Sequence, residues 1–310
     1  MTRAIVFAYH NVGVRCLSVL LAHGVDVACV VTHRDNPQET LWFDSVAELA
    51  RLHRIPVIMP DDPNEQETVA ELAALQPDFL FSFYYRAMLK QSLLDLPRHG
   101  AFNMHGSLLP KYRGRVPVNW AVLHGERETG ASLHRMELKP DAGGIVAQQA
   151  VPILPDDTAF EVFQKVTFAA ECVLDRALPD LLAGRCVLQP QDLRQGAYFG
   201  GRRPEDGRID WSQSAQNVHN LIRAVAPPYP GAFFDTPQGH WRVLRSLHSP
   251  SASGSFGAPT LFADEYGWWA ECGDGRVLRL LAVEFAGSLQ PAATAVGAMN
   301  AIFGSTAIRL

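Results

Sequence analysis

Residues 78–85 read Asp-Phe-Leu-Phe-Ser-Phe-Tyr-Tyr, a strongly β-prone run that predicts a strand. Working back from it, Glu65–Leu75 has helical spacing, Ile55–Ile58 reads as a short strand and Ser45–His53 as an amphipathic helix. Val25–Thr32 and Ala4–Tyr9 are compact apolar runs consistent with buried strands. Between those two, His10–Gly13 reads as a turn and Val14–Ala22 as a helix that stops near Gly24. Strands that alternate with helices imply βαβ units and a parallel sheet, so the fold class is α/β.

Downstream, Val116–His124 reads as a helix with Pro117 in its first turn, where the missing N–H costs little. Ala131–Met136 and Gly144–Val151 read as strands. Thr158–Ala183 is the longest helical pattern, with Phe160, Phe163, Val166, Ala170, Val173 and Leu174 at helical spacing. Thr158 and Glu161 have the spacing of a capping box. Pro190–Gly207 is rich in Gly, Arg and polar residues and reads as an interdomain linker. Beyond it come a helix near Ala215–Val225 and short strands such as Trp241–Leu247, Trp268–Cys272 and Val277–Val283, the pattern of a small barrel or sandwich. The expected division is therefore 1–189, a linker over 190–207, and 208–310.

The 310 residues carry a formal charge of −5, with 27 Lys and Arg against 32 Asp and Glu, and a pI near 6.1. That balance argues against a bulk electrostatic grip on nucleic acid or on an anionic membrane. The five cysteines are Cys16, Cys29, Cys172, Cys186 and Cys272, with no CxxC pair, which reads as free thiols in a reducing compartment. Ala4–Tyr9 is too short for a signal-peptide core and no run suits a membrane span. The expectation is a cytoplasmic protein without membrane insertion.

The chemistry concentrates in Asn103-Met104-His105-Gly106-Ser107-Leu108-Leu109-Pro110-Lys111-Tyr112-Arg113-Gly114. In an extended segment, residues i and i+2 share a face, so Asn103 and His105 can both reach one reacting carbonyl. The amide can donate to a developing oxyanion, and the imidazole can handle a proton near neutral pH. His10, His33, His124 and His134 form no metal-ligand spacing and read as solvated or locally bonded. No metal is expected.

This run resembles the folate-dependent formyltransferases, whose pattern is Asn-x-His followed by Ser-Leu-Leu-Pro and an aromatic-basic-Gly tail. That family also carries an Asp downstream in a loop before a Gly, matched here by Asp141 in Pro140-Asp141-Ala142-Gly143-Gly144. The resemblance covers nearly the whole chain. It implies a Rossmann-like catalytic domain followed by a smaller OB-like β-barrel domain. Within the family, Phe7–His10, Thr32–Pro37, Ser82–Arg86 and Leu133–Met136 look most like the formyltransferase domain of the bifunctional polymyxin-resistance protein. That domain modifies UDP-4-amino-4-deoxy-L-arabinose for lipid A. Methionyl-tRNA formyltransferase is also related, but it typically has Gly-Thr-Pro where this chain has His10-Asn11-Val12.

The resemblance implies transfer of a formyl group from 10-formyltetrahydrofolate to a primary amine, with Asn103, His105 and Asp141 as the catalytic residues. Asp141 would hold the imidazole and favour its charged form. The folate would lie against Arg86, Ala87, Met88 and Leu89, with Arg115 and the loop Glu137, Leu138, Lys139, Pro140 and Asp141 completing its pocket. Related aminosugar enzymes often carry His at position 87, where this chain has Ala87. Tyr9, His10, Tyr84 and Tyr85 are the candidates for the sugar-nucleotide acceptor. Arg202 and Arg203 are solvated or grip a phosphate.

Three alternatives stay open: a tRNA acceptor, a formyltetrahydrofolate hydrolase with water as nucleophile, and a non-catalytic folate- or nucleotide-binding module. The hydrolases usually have an extra N-terminal domain, which this chain, with its first strand at Ala4, is expected to lack; the end at Leu310 likewise reads as lacking the decarboxylase half of the bifunctional protein. The sequence leaves open a homo-oligomer or a separate decarboxylase partner.

Overall fold

The computed structural model describes residues 2–37 and 41–310. The chain forms two compact units. The first takes residues up to 117 together with 128–151 and 163–200, and the second takes 118–127, 152–162 and 201–310.

In the first unit, β1 (Arg3–Ala8), α1 (His10–Ala22), β2 (Asp26–Val31), α2 (Val46–Leu52), β3 (Val57–Ile58), α3 (Gln66–Ala74), β4 (Phe79–Phe83), α4 (Gln91–Leu94) and β5 (Ala101–His105) follow in strict alternation. The short β6 (Arg113–Gly114) comes next; α5 (Pro117–Leu123) follows it in the chain but, apart from Pro117, belongs to the second unit, and β7 (Glu128–Arg135), β8 (Ile145–Pro152), α6 (Ala159–Leu182) from Phe163 onward and β9 (Tyr198–Phe199) complete the first. One seven-stranded sheet has the order β3-β2-β1-β4-β5-β7-β8. The pairs β1–β2, β1–β4, β2–β3 and β4–β5 are parallel, whereas β5–β7 is antiparallel.

All of β4, and all of β1 after Arg3, is buried, as expected of central parallel strands covered on both faces. One of those faces is the cluster of Ile5, Phe7, Leu72, Leu80, Leu93 and Ala101, against which Tyr85, Leu89 and Met136 also pack. Successive strands run outward from β1 through β2 and β3, then from β1 the other way through β4 and β5. The direction of the chain across the sheet therefore reverses between β1 and β4, and open α/β sheets hold ligands beyond the carboxyl ends of strands at such a point.

Helix ends follow local chemistry. Ser45 Oγ accepts from the Glu48 N–H at the start of α2. At α6, Glu161 takes the Thr158 N–H at 2.7 Å, while Thr158 Oγ1 takes the Glu161 N–H at 3.3 Å, so the expected capping box is present. Helix α1 begins at His10 rather than Val14. A single residue, His10 at φ 68°, makes the strand-to-helix turn that the sequence reading spread over four.

The second unit contains α7 (Ala215–Ala224), β10 (Ala232–Thr236), β11 (Gly239–Ser253), β12 (Thr260–Asp264), β13 (Gly267–Glu271), β14 (Arg276–Phe285), β15 (Ser288–Leu289), α8 (Ala295–Phe303) and β16 (Ala307–Arg309). Its strands form a curled antiparallel sheet in the order β10-β11-β14-β13-β12-β16. Trp241, Trp268, Phe234, Leu278 and Met299 fill its core. Helix α8 was not anticipated. Its sequence, Ala-Val-Gly-Ala-Met-Asn-Ala-Ile-Phe, is short, almost wholly apolar and interrupted by Gly297, so it has no polar face to mark a helical period. Among the described residues, no helix is long and apolar enough to cross a membrane.

Candidate active site

Three strand ends supply the site. β5 ends in Asn103-Met104-His105, and its parallel register with β4 sets Ser82 beside Asn103 and Phe83 beside Met104. Its antiparallel partner β7 sets His134 directly opposite Asn103. The β7–β8 loop then carries Glu137–Asp141 back over the end of the sheet, closed at its base by the Arg135 N–H donating to the Gly144 carbonyl.

The structure brings the three predicted catalytic residues together. His105 is buried, and its Nε2 lies 2.8 Å from the Tyr112 carbonyl oxygen. A carbonyl only accepts, so Nε2 carries a proton and Nδ1 is the nitrogen that exchanges one. Nδ1 faces Asp141 Oδ1 at 3.6 Å. The other carboxylate oxygen accepts the Gly114 N–H at 2.8 Å. Burial by itself would raise the Asp141 pKa. The His105 charge, the His134 hydrogen bond and charge, and the Gly114 N–H together outweigh it and hold the carboxyl well below its ordinary range. Asp141 is thus a persistent anion beside the exchanging nitrogen.

His134 belongs to the same constellation: it is buried rather than solvated, and beside the local bond expected of it, to Arg135, it meets two of the catalytic candidates. Its Nε2 lies 3.2 Å from Asn103 Nδ2 and 3.5 Å from Asp141 Oδ1, and its Nδ1 lies 2.9 Å from the Arg135 carbonyl. A carbonyl only accepts, so Nδ1 carries a proton; in the neutral ring Nε2 then accepts from the Asn103 amide, and with a second proton it turns its N–H to Asp141 instead. No local sequence signal marks it, because its place opposite Asn103, like that of Ser132 opposite His105, comes from the β5–β7 register.

The loop after β5 is held from several sides. Ser132 Oγ donates to the Ser107 carbonyl and accepts from the Leu109 N–H, and Gln148 Nε2 donates to Ser132 Oγ and to the Leu109 carbonyl. Tyr84 places its hydroxyl against Gly106, where an added Cβ would overlap it. Tyr84, Tyr112, Val116, Asp141 and His10 all have φ between 48° and 68°, a region that side-chain-bearing residues seldom occupy. Such backbones cost on the order of 1–3 kcal/mol each and persist where the surroundings over-determine them, as they do around functional sites.

The four acceptor candidates gather at the β1/β4 reversal. The Tyr9 N–H donates to the Phe83 carbonyl, and its hydroxyl donates to Asp35 at 2.9 Å. Arg86 lies over the Tyr9 ring at 4.8 Å. His10 stacks on Phe43 at 4.0 Å and meets Trp42 and Phe163 edge-on. Tyr85 stacks on His33, also at 4.0 Å. Burial first and the Arg86 charge second push the His10 imidazole down to about 3 and that of His33 to about 4. Trp42, Phe43, His33 and Phe163 are the residues of this aromatic wall that sequence reasoning left out.

The folate candidates occupy two segments anchored on one cluster. Leu89 and Met136 both pack on the core face that includes Tyr85. Asn64 clamps the first segment, donating to the Met88 carbonyl and accepting from the Lys90 N–H. Met88 and Leu138 are left with 58% and 64% of their surface exposed. Each segment thus offers one exposed apolar side chain. Arg115 is exposed, and its N–H donates to the Phe199 carbonyl. Among the described residues no cluster of metal-ligating side chains is present.

Comparison with known proteins adds the following. Residues 15–178 match the formyl transferase family model, and residues 202–296 match the model for the formyl transferase C-terminal domain. Among solved structures, the chain is similar to an N-formyltransferase from Helicobacter canadensis in complex with folinic acid and dTDP-3-aminofucose. The identity is 20% and the TM-score 0.73, over 90% of this chain and 99% of that one. It is also similar to WlaRD, a sugar 3N-formyl transferase solved with dTDP and 5-N-formyl-THF, at 18% identity and TM-score 0.72, over 93% and 99% of the two chains. HypX from Aquifex aeolicus in complex with tetrahydrofolic acid matches at 20% identity and TM-score 0.63, over 96% of this chain but 47% of that one. At these identities the likeness is one of fold.

Proposed function

Because the chain belongs to the formyl transferase family, we propose that it transfers a formyl group from 10-formyltetrahydrofolate to the amine of a sugar nucleotide. The observation that carries this reading is the Asn103–His134–Asp141–His105 constellation, with both imidazoles buried, at the carboxyl end of β5, beside the reversal between β1 and β4.

When bound, the donor supplies an activated formyl carbonyl. Arg86–Leu89, Arg115 and Glu137–Asp141 are the residues that would hold it. Asn103 donates an amide N–H to the oxygen that gains charge as the amine adds, and His134 keeps that amide aimed. His105 takes the amine's proton at Nδ1, because Tyr112 already engages Nε2. Asp141 stabilises the resulting imidazolium, and His105 then returns the proton to the leaving nitrogen.

Tyr9, His10, Tyr84 and Tyr85 would receive the acceptor. The sequence resemblance favours UDP-4-amino-4-deoxy-L-arabinose, which implies action in the cytoplasm on a lipid A precursor and a link to polymyxin resistance. In this reading residues 1–189 form the catalytic domain, 190–207 the linker, and 208–310 an OB-like domain. The test offers the purified protein 10-formyltetrahydrofolate with UDP-aminoarabinose, a dTDP-linked aminosugar and charged initiator methionyl-tRNA in separate reactions. Formylation of an aminosugar nucleotide supports the reading. Formylation of the tRNA alone, or formate release without an acceptor, overturns it.

A further inference from the structure

The segment 189–199 has the composition of a linker, yet it lies within the first compact unit and touches both halves of the site. It starts as a backbone bridge, with Gln189 and Ile145 each donating to the other's carbonyl at 2.8 Å. Two residues on, Gln191 Nε2 donates to the Asp141 carbonyl at 3.1 Å and to the Gly143 carbonyl at 2.6 Å. These are the carbonyls that flank the turn in which Asp141 adopts φ 52°.

The same segment then crosses to the loop after His105. The buried Arg113 donates from Nη2 to the Leu193 carbonyl at 3.2 Å and to the Gly196 carbonyl at 3.0 Å. Gly196 lies against the Pro110 carbonyl so closely that a Cβ would overlap it. β9 pairs in parallel with β6, and the Arg113 and Arg115 N–H groups donate to Ala197 and Phe199. Phe199 also stacks on Tyr112, whose carbonyl engages His105. β6 in turn presents the Gly114 N–H that Asp141 Oδ2 accepts.

We propose that this segment is a strap that sets the His105–Asp141 geometry, and that Gln191 is a positioning residue for Asp141. The two loops come from separate stretches of chain, and the carboxylate sits 3.6 Å from Nδ1, so a small rotation of the 137–143 turn removes the pairing. Gln191 fixes that turn by donating to both its Asp141 and its Gly143 carbonyl. The titratable groups facing His105 are Asp141 from the β7–β8 loop and His134 from β7. Losing the Asp141 position therefore takes the anion away from Nδ1.

The inference rests on the formyl-transfer reading for its kinetic arm only. The test uses the full-length protein with Gln191→Glu, which keeps the shape but turns both donors into acceptors, and Gln191→Leu, which removes them without charge. In folded variants kcat falls about 10²-fold, the scale of a reacting group misplaced by about 1 Å, while KM for the acceptor is unchanged. In isotope-labelled protein, the His105 ring resonances move away from their wild-type positions as Asp141 leaves Nδ1. A merely structural role lowers the unfolding temperature and leaves the ring resonances of the folded molecules in place. Wild-type ring resonances and wild-type kcat in folded variants would overturn the strap. Absence of formyl transfer by the wild type would overturn the function instead, and the ring resonances still decide the strap.

Discussion

Replacing Asp141 by Asn keeps the shape of the side chain and removes its charge. Oδ2 accepts the Gly114 N–H at 2.8 Å, and an amide oxygen can take over that bond, so the loop keeps its anchor. What is lost is the anion 3.6 Å from His105 Nδ1. Two unit charges at that separation attract by about 4–5 kcal/mol at an effective dielectric constant near 20. At about 1.4 kcal/mol per tenfold, this is an upper figure of about 10³ in rate. The Asp141 side chain retains 14% exposure and the amide dipole recovers part of the interaction, so kcat should fall by about 10²–10³ with KM little changed. The measurement is the conversion of 10-formyltetrahydrofolate to tetrahydrofolate with a saturating aminosugar nucleotide, across a range of pH, with thermal unfolding run in parallel. A folded Asp141→Asn protein with turnover within about tenfold of wild type would refute the assignment of Asp141 as the imidazolium's counter-ion.

Other perturbations test separate parts of the account. His134→Ala should lower kcat about 10–100-fold, as removal of an outer positioning partner commonly does, because the Asn103 amide loses its partner on β7; unchanged kinetics would place His134 outside the mechanism. Gly106→Ala should lower stability by about 1–3 kcal/mol through overlap with the Tyr84 hydroxyl, and Tyr84→Phe added to it should restore part of the loss in a denaturant titration. For His10, the folded value of about 3 lies below the ordinary 6.5, so the unfolded chain binds more protons between those values. Stability should therefore be full above pH 6.5 and decline as pH falls towards 3, by on the order of 5 kcal/mol. His10→Phe should flatten that decline in unfolding curves, and an unchanged slope would remove His10 as its source.

Some of the site is local and some is not, and this decides what the chain reveals when read as a string. Asn103 and His105 are legible because a strand puts i and i+2 on one face, and β5 does so. The α/β alternation is legible because β1 and β4 are buried on both sides and so read as continuous apolar runs. His134 is not legible in this way. It meets Asn103 only because β7 pairs antiparallel with β5 in that register, and nothing near position 134 states which strand lies next to it. Gln191 and Arg113 are hidden for the same reason: their partners are carbonyls about 50 and 80 residues distant, in the β7–β8 loop and in the 189–199 segment respectively. Trp42, Phe43 and Phe163 are aromatic residues of a kind that usually fill cores, and their place beside His10 follows from tertiary packing.

The central claim is that this chain moves a formyl group to a sugar amine through His105. The most direct measurement is mass spectrometry of UDP-4-amino-4-deoxy-L-arabinose and a dTDP-linked aminosugar after incubation with 10-formyltetrahydrofolate and either the wild-type protein or His105→Ala. The account predicts a gain of one formyl group on an aminosugar nucleotide with the wild type and almost none with the folded variant. No formylated sugar nucleotide with the wild type, or equal product from His105→Ala, would contradict it.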